Sequence, residues 1–497
     1  MSKNILILFS IVFPIISGFV LLCYPKVKDR KKIQIYMLGV FGITGGFVSN
    51  IITGRAMTYT LYEFMESIPI YFKIDNMGRL FASLVTIAFI LSGLYSFGYM
   101  EHERNEKRYF GFYLIVYGVF LGLIFSGNIV TLYIFYELLT LTSFFLVIYA
   151  QTREAVMAAM KYMFYSLCGA YMALFGIYFL YQYGTTLEFT PGGVLDPSLL
   201  QGKEEFFLFI AFFMLIGFSV KAGMFPMHGW LSSAHPVAPA PASGILSGII
   251  VKAGVFAIIR IVFEIFGADF LKGSWVQQVW MTLSLITIFM GSMLAYKESI
   301  VKKRFAYSTV SQISYILFGL SLLEPKGFVG ALFHTCVHIF VKTGLFLAIG
   351  GMIFKTGNIK VEHLDGIGKK MPFTLWCYTL LSLSLIGIPP AGGFLSKWFL
   401  AIGSLESGIS VFSWIGPIIL VVSALLTAGY VLPITMNGFF PKADWTYKRD
   451  ELRKVMVIPI LILTVLAIGI GMFPNRLVTY IGNIAEQLLL GKVWLLK

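Results

Sequence analysis

The chain has 497 residues, 58% of them hydrophobic and 12% charged, with a mean hydropathy of +0.83 and a formal net charge of +14. That composition excludes an ordinary soluble domain and predicts an all-α integral membrane protein in one helical bundle. Cys23, Cys168, Cys336 and Cys377 lie singly on four apolar runs. With no paired spacing for a metal or an iron–sulfur cluster, neither a metal, a cofactor nor a redox centre of its own is expected.

A run of about 20 apolar residues crosses a hydrocarbon core of ~30 Å. Fourteen such spans are predicted, at 4–24, 33–53, 78–99, 110–126, 128–150, 162–182, 206–228, 241–266, 276–296, 304–323, 327–354, 372–401, 411–438 and 455–474. The first lacks a small-residue cleavage site and is followed by a second span, so it is predicted as a retained helix and not a signal peptide. Between spans 4 and 5 only Ser126-Gly127-Asn128 interrupts the apolar run, and one long helix is the competing reading. The tail from Asn475 to Lys497 has helical spacing but is too interrupted to span, which predicts an interfacial helix.

Lys and Arg concentrate in cytoplasmic loops. With fourteen spans the loops on one side hold 23 of them, while the other side, with both termini, holds 10. The expectation is a multi-pass cell-membrane protein with both ends on the outer face. The positive charge is then a topology signal plus attraction to anionic lipid, with no basic-aromatic patch for nucleic acid.

Six charged groups remain deep inside spans: Glu137, Lys221, Lys252, Arg260, Lys342 and Lys397. A lysine at bilayer depth costs about 2.5 kcal/mol or more, so such residues mark function. Span 7 is interrupted beside Lys221 by Gly223 and Pro226, and span 12 before Lys397 by Pro389, Pro390, Gly392 and Gly393. Broken spans at corresponding positions of two halves point to an inverted repeat and its ion site. Five spans separate them, an odd number that inverts the second copy. The predicted division is 1–109 (three helices), 110–266 (repeat one, spans 4–8), 267–440 (repeat two, spans 9–13) and 441–497 (span 14 and the tail).

Glu137 is a lone carboxylate, which either takes a proton or pairs with a cation. Lys221 is its natural partner, and their separation makes an electrostatic switch; a purely structural pair is the bland alternative. Lys252 sits too far inside span 8 to snorkel. Arg260, near a helix end and never usefully deprotonated, is read as structural. His334, His338 and Lys342 follow at i, i+4 and i+8 on one helix face, rising ~6 Å per step, a ladder suited to proton hopping. A two-histidine metal site lacks completing ligands. Lys397 follows the double proline, where freed carbonyls are available, and suits a terminal proton group. His228 and His235, in the bend after span 7, are candidates for proton uptake or for loop structure. No nucleotide loop or nucleophile–base constellation is present.

AHPVAPAPASGILSGIIVKAGVFAIIR, LFHTCVHIFVKTGLFLAIGG and SLSLIGIPPAGGFLSKWFL resemble signatures of the antiporter-like membrane subunits shared by respiratory complex I, membrane-bound hydrogenases and Mrp-type Na+/H+ antiporters. The resemblance covers essentially the whole chain. It implies fourteen helices with two inverted five-helix repeats and broken helices 7 and 12. It also implies that Glu137, Lys221, Lys252, His334, His338, Lys342 and Lys397 occupy the proton-translocating positions. The chain stops soon after span 14, without the long lateral helix or extended C-terminal region of the larger relatives, and Lys397 stands where the middle complex I subunit typically has glutamate. The closest match implied is the small Mrp subunit or the equivalent hydrogenase subunit, with AHPVAPAPAS nearer the hydrogenase type. The expected function is translocation of protons, with sodium as the alternative ion, in a hetero-oligomeric complex whose partner subunits hold the driving reaction. A complex I membrane-arm subunit and a stand-alone solute transporter are the alternatives.

Overall fold

The computed structural model describes residues 4–24, 29–64, 68–103, 105–442 and 448–490. In chain order the elements are α1 (Ile5–Cys23), α2 (Arg30–Thr53), β1 (Thr58–Glu63), β2 (Pro69–Lys73), α3 (Asn76–Tyr99), α4 (Glu106–Ile124), α5 (Ile129–Val147), α6 (Arg153–Tyr183) and α7 (Glu204–Ala222). There follow α8 (Ala240–Phe266), α9 (Trp275–Lys297), α10 (Val301–Ser321), α11 (Pro325–Thr356), α12 (Pro372–Ile386), α13 (Gly392–Glu406), α14 (Phe412–Phe439), α15 (Lys454–Met472) and α16 (Asn475–Leu490). Among the described residues, twelve helices are long and apolar enough to cross a membrane. Large apolar side chains such as Phe164 and Trp414 lie on the outside, as a lipid-facing surface requires. This is an all-α membrane protein.

Two of the fourteen expected spans fall short of that length-and-hydropathy test. α10 carries Ser308, Thr309, Ser311, Gln312 and Ser314, all fully buried, so its polar residues line the protein interior and lower its hydropathy. The twelfth span is divided into α12 and α13, 15 residues each, by a turn over 387–391. The tail helix is described as far as Leu490; the rest of the expected interfacial helix lies outside the described residues.

The chain forms two compact units. The first comprises Met1–Ile90, Met100–Lys221 and Ala253–Val276. Within it a two-stranded antiparallel hairpin, β1 and β2, is an element that the helical reading missed. This hairpin decides the division between α4 and α5. Gly127 N donates to Tyr71 O (2.8 Å) and Lys73 N to Phe125 O (2.8 Å), so strand β2 holds the turn open. The Asn128 side chain caps α5 at Thr131 N (2.7 Å) and donates to Pro69 O (2.7 Å). Ser126-Gly127-Asn128 is therefore a true break. Farther on, α6 and α7 touch backbone to backbone: a Cβ on Gly169 would lie 2.4 Å from Gly217 O, and one on Gly217 2.5 Å from Gly169 O. That approach fixes α7 one turn before Lys221.

The second unit comprises Leu91–Tyr99, Ala222–Lys252 and Gln277–Lys497. Its centre is α11, buried without interruption from Gly327 to Met352. α10, α12, α13 and α15 pack around it. The short helix Leu231–Val237 packs on α10. Tyr95 ties the end of α3 to this core through a hydrogen bond to Leu347 O (2.9 Å).

Both expected interruptions are present. After Lys221, α7 ends at Gly223, whose φ of +75° is open to glycine at little cost. α12 ends at Gly387 (φ +96°), and a Cβ on Gly393 would lie 1.7 Å from Ser384 O, so only glycine lets the two halves of the broken helix meet. A third irregularity was not read from the sequence: residues Leu246–Ile250 of α8, which include Gly248, form a π-turn directly ahead of Lys252. Such turns recur at functional sites because they re-aim the side chains that follow.

Candidate functional site

In the first unit Glu137 and Lys221 are not joined: among the described residues no ion pair within 4.0 Å links them. Lys221, fully buried, donates instead to Tyr136 O (2.9 Å) and to Thr140 Oγ1 (2.8 Å), with Nζ 3.8 Å from the centre of the Tyr136 ring. Positions 136 and 140 are one turn apart and share a stripe, whereas Glu137 is rotated about 100° from Tyr136. Lys221 thus faces the hydroxyl-and-carbonyl stripe of α5, and Glu137 lies beside it, half-buried, with Oε1 buried and unpartnered. Tyr136 spans to the other helix through its hydroxyl, which donates to Phe218 O (3.4 Å).

Arg260 confirms a structural environment. Its guanidinium is buried, binds Asp75 (2.5 Å) and Glu264 (2.6 Å), and lies over the Phe189 and Phe256 rings. Asp75 also accepts from Gly78 N (2.6 Å) at the start of α3, so one cluster ties α3 and the C-terminal part of α8 together.

In the second unit five of the expected residues converge. Lys252 Nζ lies 2.5 Å from His338 Nδ1 and also donates to Ser247 O (3.0 Å). The His338 and His334 rings are 5.7 Å apart, and His334 Nδ1 is 2.9 Å from Ser396 Oγ. Next to Ser396, Lys397 donates to Leu385 O (2.8 Å) and Ile386 O (2.6 Å), carbonyls released where α12 ends. Lys342 donates to Ser308 Oγ (2.6 Å), which in turn contacts the Tyr430 hydroxyl (2.6 Å). Lys252, His334, His338 and Lys342 are all at most 2% exposed.

Hydrogen-bond bookkeeping orients both rings. An ammonium has only protons to give, so opposite charged Lys252 the Nδ1 of His338 accepts, and the neutral ring carries its proton on Nε2. Ser396 has one hydroxyl proton, which it donates to Gly393 O (2.9 Å). Its oxygen therefore accepts from His334, which carries its proton on Nδ1 and leaves Nε2 bare. With Lys252 as an ammonium and the Ser396 proton on Gly393 O, the two imidazoles hold opposite tautomers, with a donor Nε2 on one and an acceptor Nε2 on the other. This is the polarity needed to pass a proton from Lys252 toward Ser396.

His228 and His235 differ from a solvent-facing bend. The segment folds into a 3-10 turn and the short helix 231–237, and His235 is fully buried with its ring 4.8 Å from Phe346. Pro236 and the apolar alanines bring it inward. His228 is half-buried against Phe225. Thr140, Ser308, Ser396 and Tyr430 were missed in the sequence, since hydroxyls abound in membrane helices and carry no signal of depth. Among the described residues no group of three or more His, Cys, Asp or Glu is arranged for a metal.

Two family descriptions match. "NADH:quinone oxidoreductase/Mrp antiporter, TM" covers residues 126–427, and "NADH-Ubiquinone oxidoreductase (complex I), chain 5 N-terminus" covers residues 65–110. The chain is 30% identical over 414 residues to an NADH-quinone oxidoreductase subunit of Desulforudis audaxviator, covering 80% of this chain and 81% of that one. It is 26% identical to a Na(+)/H(+) antiporter subunit of Bacillus subtilis, over 98% of this chain and 97% of that protein. Two solved structures share its fold. One is the Mrp complex of a Dietzia species (TM-score 0.84, 21% identity, 99% of this chain and 98% of the other). The second is an archaeal membrane-bound sulfane sulfur reductase (TM-score 0.86, 23% identity, 97% of each chain).

Proposed function

The chain belongs to the NADH:quinone oxidoreductase/Mrp antiporter transmembrane family, and we propose that it is a proton-translocating subunit of a multisubunit membrane complex, with sodium–proton exchange as the form the activity takes if the complex is of Mrp type. The observation that carries the reading is the series Lys252, His338, His334, Ser396 and Lys397, in which Lys252 meets His338, the His338 ring faces the His334 ring, and His334 meets Ser396, the neighbour of Lys397. Structural burial alone gives no reason to retain four cations and two imidazoles in a membrane interior.

In this proposal Glu137, Lys221, Lys252, His334, His338, Lys342 and Lys397 form the translocation path. Lys221 moves between the Tyr136–Thr140 stripe and Glu137, and that movement is the switch. His228 and His235 serve proton uptake. Residues 110–266 and 267–440 are the two inverted repeats, and both termini face outward. The named relatives act in redox complexes or as Na(+)/H(+) antiporters; the driving reaction here accordingly resides in partner subunits.

The test is transport by the intact complex carrying Glu137→Ala or Lys221→Ala. Variants that assemble normally are expected to lose translocation. Wild-type rates in both would remove the switch from the mechanism. Subunits co-purifying in mild detergent identify the complex: a nickel-site subunit means hydrogenase, and small hydrophobic subunits alone mean Mrp.

A further inference from the structure

Gln312 has no role in the path above, yet it is fully buried, and neither its amide oxygen nor its amide nitrogen has a partner. Leaving a polar group unpaired inside a protein costs roughly 1 to 3 kcal/mol, so a wholly unpaired buried glutamine points to something it binds. Its level in the bundle follows from its neighbours on α10. Ser308 contacts Lys342 (2.6 Å), and the Tyr315 ring stacks on His334 (centroids 5.6 Å). Positions 308, 312 and 315 share one stripe of α10, as 334, 338 and 342 share one stripe of α11. The two helices run antiparallel, which puts Gln312 level with His338.

At that level two other atoms are buried and unpartnered: Nε2 of His338 and Nε2 of His334. By the tautomers derived above, the first is a donor and the second an acceptor. The rings are 5.7 Å apart with no hydrogen bond between them. A water molecule joins a donor and an acceptor on neighbouring rings when it lies between them, and a buried water needs two to four polar partners.

We propose that Gln312 is a positioning residue for the proton relay: its side-chain amide holds the water that joins His338 Nε2 to His334 Nε2. The amide supplies one acceptor and two donors. It therefore retains the water in either orientation, before and after a proton has passed, without carrying a proton itself. In the transfer the Lys252 N–H bond breaks as the His338 Nδ1–H bond forms. His338 releases its Nε2 proton to the water, and the water passes one to His334 Nε2.

The inference rests on the proposed proton path, and its test separates the two. The full chain, labelled with ¹⁵N-histidine and reconstituted in lipid, is studied by water-edited solid-state NMR, with His334 and His338 assigned by single substitution. In the wild type, magnetisation is expected to pass from water to Nε2 of both rings. Gln312→Leu is expected to abolish that transfer and to slow translocation by the complex about tenfold or more, and the near-isosteric Gln312→Glu to restore both. Undiminished water transfer to both rings in Gln312→Leu would overturn the proposal, as would its loss from Gln312→Glu together with Gln312→Leu while transport stays at the wild-type rate. Lys252→Ala is the separate arm: wild-type transport there overturns the proton path, while the water signal still decides the role of Gln312.

Discussion

Lys221 is held by the Tyr136 carbonyl and the Thr140 hydroxyl, so under the proposed switch its distribution between that stripe and Glu137 depends on the hydroxyl. A hydrogen bond to a charged group is worth about 1.5 to 3 kcal/mol, equivalent to about tenfold or more in an equilibrium. Thr140→Val keeps the shape and removes the acceptor. It is expected to shift Lys221 toward Glu137 and to change the translocation rate several-fold, measured in vesicles containing the assembled complex. A second residue-scale expectation concerns Arg260. Asp75→Ala strips one of its two carboxylates, at a cost of about 2 to 3 kcal/mol, below the range for breaking a fully buried pair, because the Asp75 side chain keeps 21% exposure. The check is the unfolding temperature of the purified chain; an unchanged value would contradict the cluster's structural role. The sequence made the in-span charges legible, since each is rare at bilayer depth. It did not reveal Asp75 as the partner of Arg260, because Asp75 lies in a loop 185 positions away along the chain, nor Gln312 and Ser308, whose polarity is ordinary in membrane helices.

At the scale of elements, the two interruptions do separate work. The first ends α7 just beyond Lys221, and the second exposes the Leu385 and Ile386 carbonyls that receive Lys397. Gly393→Ala places a methyl 1.7 Å from Ser384 O, so the halves must part and the carbonyls shift. Such a variant is expected to be severely reduced in membranes or inactive in transport. Gly39→Ala, with nothing within 4 Å of the added carbon, is the control, expected within about 0.5 kcal/mol of wild type. The breaks were readable from their glycines and prolines. The π-turn at Leu246–Ile250 was not: Gly248 lies in it, but a single glycine inside an apolar helix does not specify a wider turn. The β hairpin was hidden for a different reason: TYTLYE and PIYFK alternate as strands do, but they lie between spans where a loop was the default expectation.

For the whole molecule, the proposed orientation rests on the excess of Lys and Arg on one set of loops. Lys203, in the loop after α6, and Lys369, in the loop after α11, are both exposed and belong to opposite sets. With the exposed native Cys23 and Cys168 replaced by serine, an impermeant thiol reagent added to whole cells is expected to label Lys203→Cys and to reach Lys369→Cys only after permeabilisation. The reverse pattern would invert the proposed orientation. The path itself is tested most directly by proton translocation in vesicles carrying the intact complex with Lys252→Ala or His338→Ala, each assembled to the wild-type level. Removing either group breaks the 2.5 Å contact that begins the oriented series, and translocation is expected to fall by about 100-fold or more; wild-type translocation in either variant would contradict the account.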